Sequence, residues 1–205
     1  MTTARLGLFG GTFNPPHIAH LAVAEAMGEA LGLDRVLWMP AATSPFKQGD
    51  PASVAPEHRL AMVELAVRDN PRFEASDLEI RRAGVSYTVD TVEALRAARP
   101  SQALVLLLGG DSLAGFTRWH RWEALLAQVT LGVYRRPGDG LSEDLRELPA
   151  SVRAKVTTVE APRLDISSTQ LRKRVSEVRT IRYMVPEALR KYIDKHSLYK
   201  IRAQA

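Results

Sequence analysis

Residues 7–20 read GLFGGTFNPPHIAH, and the fold follows from this stretch. A short apolar run, Arg5 to Phe9, meets Gly10-Gly11, the pattern of a buried strand that ends in a tight turn. Beyond the prolines, Ile18, Leu21, Ala22, Ala24, Met27 and Leu31 fall near helical spacing over 18–31, and Gly32 supplies a stop. The stretch is therefore a strand–loop–helix junction, with His17 and His20 on one face of the first helical turn.

The same alternation continues outward. The pattern predicts strands over 35–39, 73–80, 103–110, 129–134 and 155–159, and helices over 56–67, 88–98, 123–127, 169–175 and 186–194. The segment 41–55 is polar and rich in proline and glycine, so it reads as a long loop. ALVLLLGG (103–110) is a continuous apolar run into two glycines, as expected of a central parallel strand. Strands alternating with helices predict an α/β fold, a doubly wound parallel sheet of Rossmann-like type. Its 205 residues suit a single domain over 1–205, in which 163–205 is a helical C-terminal segment. Trp122 is expected in the core and Trp119 at a pocket.

Composition narrows the chemistry. The chain has no cysteine, which excludes disulfides, thiolate metal sites and cysteine nucleophiles and permits a cytoplasmic setting. No apolar stretch has the length of a membrane span, and the N-terminus does not read as a signal peptide, so no membrane partner is expected. The formal net charge of +5 suits an anionic partner. Basic residues concentrate only between Arg163 and Lys200.

In such a sheet, ligands sit beyond the carboxyl ends of strands. Two strands end in glycine pairs, Gly10-Gly11 and Gly109-Gly110. The first opens a helix, whose N-terminal N–H groups and dipole favour an anion. No Gly-Lys-Ser/Thr follows, and the spacing is not that of a dinucleotide fingerprint, so the phosphate holder needs other cations. Imidazolium groups at His17 and His20 fit that role, able to bind phosphate oxygens and to stabilise charge that grows in a transition state. A helix cap or a half-buried pair is the competing reading. Zinc ranks low because nothing nearby offers a third ligand, and no protein-held metal is expected.

The stretch resembles the (T/H)xGH signature of the nucleotidyltransferase superfamily. More specifically, GGTFNPPHIAH is similar to the GGTFDPxHxGH opening of bacterial nicotinate-nucleotide adenylyltransferases, with Asn14 and Ala19 departing from the pattern. SYTVDT (86–91), GGDSL (109–113), WHRW (119–122), DISSTQLR (165–172) and RYMVPEALRKYI (182–193) resemble further family motifs in the right order. SPFK (44–47) stands where the family has PPHK or PPHR, keeping Lys47 and losing the histidine.

The resemblance implies adenylyl transfer from ATP, brought with Mg²⁺, to nicotinate mononucleotide. It implies catalytic His17 and His20, and an ATP site that adds Gly10, Gly11, Thr12, Gly109, Asp111, Ser167, Ser168, Thr169 and Arg172. For the mononucleotide it implies Lys47, Tyr87, Thr88 and Trp119, with Arg136 as a phosphate contact. Residues 163–205 would complete the ATP site. A homo-oligomer is allowed, and no nucleic-acid partner is expected.

Ordinary structural readings stand beside these. Thr88, Asp111 and Ser167-Ser168-Thr169 suit helix caps, either tryptophan suits a core, and Arg135-Arg136 suits a solvated pair. Other readings of the whole chain are a transferase acting on pantetheine phosphate or nicotinamide mononucleotide, a cytidylyltransferase, a class I aminoacyl-tRNA synthetase and a non-enzymatic nucleotide or nucleic-acid binder. A transferase acting on pantetheine phosphate or a cytidylyltransferase would not share SYTVDT with WHRW, and the synthetase needs a lysine-rich loop and far more chain.

Overall fold

The computed structural model describes residues 4–46, 53–135 and 145–200. Its strands are β1 (Arg5–Gly11), β2 (Arg35–Pro40), β3 (Phe73–Ala75), β4 (Ala103–Gly109), β5 (Thr130–Arg135) and β6 (Val156–Glu160). They form one sheet in the order β3-β2-β1-β4-β5-β6, and every pairing is parallel. The order reverses between β1 and β4, so a crevice opens beyond the carboxyl ends of these two strands.

Successive side chains of the central strands enter opposite layers. Leu6, Leu8, Leu37, Met39, Leu104, Leu106 and Leu108 join one apolar cluster, and Phe9, Val36, Trp38, Val105 and Leu107 join another. A sheet apolar on both faces requires helices on both. Helices α1 (Ile18–Ala30) and α2 (Pro56–Val67) cover the second cluster. Residues of α4 (Thr88–Ala98), α5 (Gly110–Ala114), α6 (Trp122–Gln128) and α7 (Ala150–Arg153) fill the first. The seat of α1 depends on Gly132 in β5, where a Cβ would come within 2.6 Å of Leu31 and 3.0 Å of Met27.

A third cluster joins Met62 and Ala66 of α2 to α8 (Ser168–Ser176) and α9 (Glu187–Lys195). It brings the segment after β6 against the histidine junction. The N–H of Ile18, first residue of α1, donates to the Met184 carbonyl at 3.0 Å.

Three expectations need correction. The strand expected over 73–80 stops at Ala75 and gives way to α3 (Leu78–Arg82). The Arg81 N–H donates to the Asp77 carbonyl at 2.8 Å, and the two side chains pair at 3.0 Å, so local helical contacts replace sheet pairing. The run after β4 turns directly into α5 at Gly110, because Leu113 buries against the sheet. Trp122 is half-buried and packs on the edge of the first cluster rather than inside it. Among the described residues, no helix is long and apolar enough to cross a membrane.

Candidate active site

The junction read from residues 7–20 folds around its histidines. His17 takes an extended backbone as N-cap of α1 and is 5% exposed. Its own N–H donates to Nδ1 of His20 at 3.2 Å. That bond leaves the His20 proton on Nε2, the outer ring nitrogen. Phe9 and Phe13 meet the His20 ring edge-on, with centroids 6.2 and 5.5 Å away, and fix its orientation.

The two imidazoles lie 3.7 Å apart and are tilted by 31°. Two cations at that spacing would repel by about 4 kcal/mol at an effective dielectric of about 20. Burial pulls the His17 pKa from the ordinary 6.5 down to about 4. The expected pair of imidazolium groups is therefore corrected: His17 is neutral at pH 7. Its buried Nδ1 has no hydrogen-bond partner among the described residues, which leaves a polar atom for a ligand to satisfy. The helix start is also less open than expected. The N–H groups of His17, Ile18 and His20 are bonded to His20 Nδ1, Met184 O and His17 O respectively.

The start of α8 faces the same cavity. Ser167 caps this helix through a reciprocal pair with Gln170, at 3.2 and 2.9 Å. Ser168 Oγ donates to the Pro15 carbonyl at 2.8 Å, and Arg172 donates to the Asn14 carbonyl at 2.9 Å and to Thr169 Oγ1 at 3.4 Å. These side chains tie α8 to the histidine loop. The remaining first-turn N–H groups and the rest of the Arg172 guanidinium are what a phosphate would meet.

Two residues that sequence reasoning missed hold this arrangement. Arg59 of α2 is 2% exposed and donates to the carbonyls of Thr12 (3.1 Å), Ala41 (2.5 Å), Ala42 (2.8 Å) and Val54 (3.3 Å). Burial lowers its pKa from the usual guanidinium value. Tyr199 donates to Asn14 Oδ1, and Asn14 is itself 3% exposed. Nothing in the helical pattern of 56–67 distinguishes Arg59 from a solvated arginine.

A cavity of about 510 Å³ opens at the switch point. Gly10, Gly11, Thr12, His17, His20, Asp111, Ser167, Ser168, Thr169 and Arg172 all line it. Of the expected ATP residues only Gly109 does not. Its role is to admit Tyr134, whose Oη would lie 2.9 Å from a Cβ at that position, and Tyr134 is the residue that reaches the cavity.

A second cavity, of about 260 Å³, lies at the start of α4. Tyr87, Thr88 and Trp119 line it as expected, joined by Phe46, Arg118 and His120, which were not foreseen. Tyr87 stacks near His120 at 4.3 Å, and Trp119 rests on the buried Phe116 at 5.5 Å. Two further residues of SYTVDT hold the segment in place. Ser86 Oγ accepts the Ala42 N–H at 2.9 Å, and buried Thr91 donates to Glu79 at 2.7 Å. Lys47 and Arg136 lie outside the described residues.

Comparison with known proteins agrees with this geometry. The family model described as cytidylyltransferase-like matches residues 8–174. A protein of Salinibacter ruber named "probable nicotinate-nucleotide adenylyltransferase" is 47% identical over 95% of this chain and 97% of its own length. One of Trichlorobacter lovleyi with the same name is 44% identical over 96% and 99%. The Plasmodium falciparum nicotinic acid mononucleotide adenylyltransferase complexed with NaAD is 19% identical and superposes with a TM-score of 0.77, covering 96% of this chain and 97% of that one, a likeness of fold. With its switch-point cavity, its histidine pair and relatives of this identity along nearly its whole length, the chain belongs to the nicotinate-nucleotide adenylyltransferase family, within the cytidylyltransferase-like group.

Proposed function

We infer that the protein transfers AMP from ATP to nicotinate mononucleotide, forming nicotinate adenine dinucleotide and pyrophosphate in NAD biosynthesis. One observation carries the reading. A histidine-lined cavity of about 510 Å³ and a smaller aromatic cavity are both built on the carboxyl side of one sheet, joined by the Ala42–Ser86 and Arg59 tethers. The homologues' shared name and the NaAD complex of the P. falciparum enzyme support the same pair of substrates.

The mononucleotide phosphate is already an anionic nucleophile. An oxygen of it attacks the α-phosphorus of ATP, the α–β bridging bond breaks, and its electrons leave on pyrophosphate. No general base is required, so catalysis is alignment and neutralisation. We assign His20 Nε2–H to the α-phosphate oxygens. His17 donates from its neutral ring to the triphosphate, and Arg172 with the start of α8 holds the β- and γ-phosphates.

The family uses a divalent metal with its nucleotide. Asp111 is the only carboxylate among the described residues lining the larger cavity. That fits Mg²⁺ carried by ATP, which keeps mostly phosphate and water ligands and supplies charge neutralisation there. In the smaller cavity Trp119 offers a face for the pyridine ring. Arg118 and the N-terminal turn of α4 offer a cation and N–H donors for the carboxylate. A cytoplasmic location suits the cysteine-free chain.

Pyrophosphate release tests the assignment. It is expected from ATP plus nicotinate mononucleotide and from neither alone. Equal release with phosphopantetheine in place of the mononucleotide would move the protein to another acceptor.

A further inference from the structure

Phe46 is 69% exposed, one of three large apolar side chains left open among the described residues, and the one of them that lies at a cavity of the candidate site. It stands on the rim of the smaller cavity, with its ring centroid 6.3 Å from that of Trp119 and the rings inclined by 51°. The two rings differ in support. Trp119 is backed by buried Phe116, whereas Phe46 lines the cavity from the segment that follows β2. That segment is pinned just upstream. The Ala42 N–H is held by Ser86 Oγ, the Thr43 carbonyl accepts the Ser86 N–H at 2.9 Å, and Pro45 restricts the residue before Phe46. The position of Phe46 is thereby set by the same Ser86 that precedes Tyr87 and Thr88 in the cavity wall.

We propose that Phe46 is a specificity-determining residue of this protein: it forms the second aromatic face of a slot, opposite Trp119, that takes a flat cationic ring. The proposal rests on the function inferred above and adds to it a residue that the family pattern does not supply, since a histidine stands there in the family motif. A ring sandwiched between two aromatic faces needs about 7 Å between them, two stacking contacts of about 3.5 Å. The centroids stand 6.3 Å apart with the rings inclined by 51°, so Phe46 has to swing outward and turn level with Trp119 to admit the ring between them. The pyridine ring of a mononucleotide carries a formal positive charge on its nitrogen. Two electron-rich faces attract such a cation, while Arg118 at the same cavity is suited to the carboxylate. A histidine at position 46 would offer a poorer face and, once protonated, would repel the pyridinium.

The test is calorimetric titration with nicotinate mononucleotide, alongside steady-state kinetics, for the wild type, Phe46→Ala, Phe46→Leu and Phe46→Tyr. Because Phe46 is exposed, all four proteins should melt alike. Phe46→Ala should weaken mononucleotide binding about tenfold, Phe46→Leu nearly as much, and Phe46→Tyr little. ATP affinity and kcat should stay within about twofold in every variant, about 0.4 kcal/mol. Wild-type affinity in Phe46→Ala would overturn the proposal. Full affinity in Phe46→Leu would overturn it too, leaving Phe46 as a plain apolar cover. A wild type that neither binds nor turns over nicotinate mononucleotide would overturn the inferred function, and the slot with it.

Discussion

The Tyr199 hydroxyl donates to Asn14 Oδ1 at 2.8 Å across 185 residues of sequence, and Asn14 in turn offers its carbonyl to Arg172. Burial raises the Tyr199 pKa, so the phenol remains a protonated donor throughout the physiological range. Tyr199→Phe removes the donor and keeps the ring. The expected cost is about 1–2 kcal/mol of stability. The KM for ATP should rise several-fold while the KM for the mononucleotide holds. Urea unfolding and two-substrate kinetics check this, and an unchanged ATP KM would confine Tyr199 to packing.

Arg59→Lys should be far more damaging than its conservative look suggests. The guanidinium reaches four carbonyls from three backbone segments, which a single ammonium with three donors cannot reproduce. A loss of about 2–4 kcal/mol is expected, with both KM values raised because the tethers serve both cavities. A variant as stable as the wild type would refute the tethering role.

His17 makes stability pH-dependent with a definite sign. Unfolded, the ring takes up a proton near pH 6.5; folded, only near pH 4. The native state therefore has its full advantage above about 6.5 and loses it as pH falls toward 4, on the order of 3 kcal/mol in all. His17→Asn, which cannot titrate, should flatten that part of the curve. Denaturant midpoints measured from pH 7.5 to 4 would falsify this if the two proteins kept parallel slopes.

His20→Ala should lower kcat by roughly two orders of magnitude or more and weaken ATP binding less, because the role proposed for its Nε2–H is to meet charge that develops in the transition state. Rapid-quench turnover with saturating substrates separates the two effects. A variant with near-normal kcat and poor affinity would reassign His20 to ground-state binding.

Preference for the acid over the amide mononucleotide follows from the donor-rich wall of the smaller cavity. A carboxylate matches Arg118 and the start of α4, whereas the amide presents an NH₂ to groups that are themselves donors. Such mismatches can cost on the order of 10⁴-fold in kcat/KM. Arg118→Gln should narrow the ratio mainly by reducing activity on the acid. Ratios within about tenfold for the wild type would indicate dual specificity.

What the sequence reveals depends on how locally each feature is determined. The β1–α1 junction, β4 and the histidine pair are legible because apolar runs, glycine stops and i, i+3 spacing are local signals. Trp119 and Thr88 were found through motifs that lie beside the cavity they line. Arg59 was hidden because a buried arginine looks like any helical arginine until its carbonyl partners are known. Asn14 shows in the sequence only as a departure from the family pattern, because its phenol partner Tyr199 arrives with the third cluster. The charge on His17 is a property of burial, which no spacing encodes. The helix at 78–82 escaped notice because FEASDLEI carries too short an alternation to separate a strand from a turn and one helical turn.

The bond from Ile18 N–H to the Met184 carbonyl has a consequence for how the protein is made. Synthesis runs from β1 onward, yet β1 must wait for β4 to emerge before its second edge is paired. The first amide of α1 waits longer, until residue 184 has left the ribosome, and Asn14 waits for residue 199. The histidine junction therefore takes its final tethers from residues 184 and 199, which follow every strand of the sheet in the sequence.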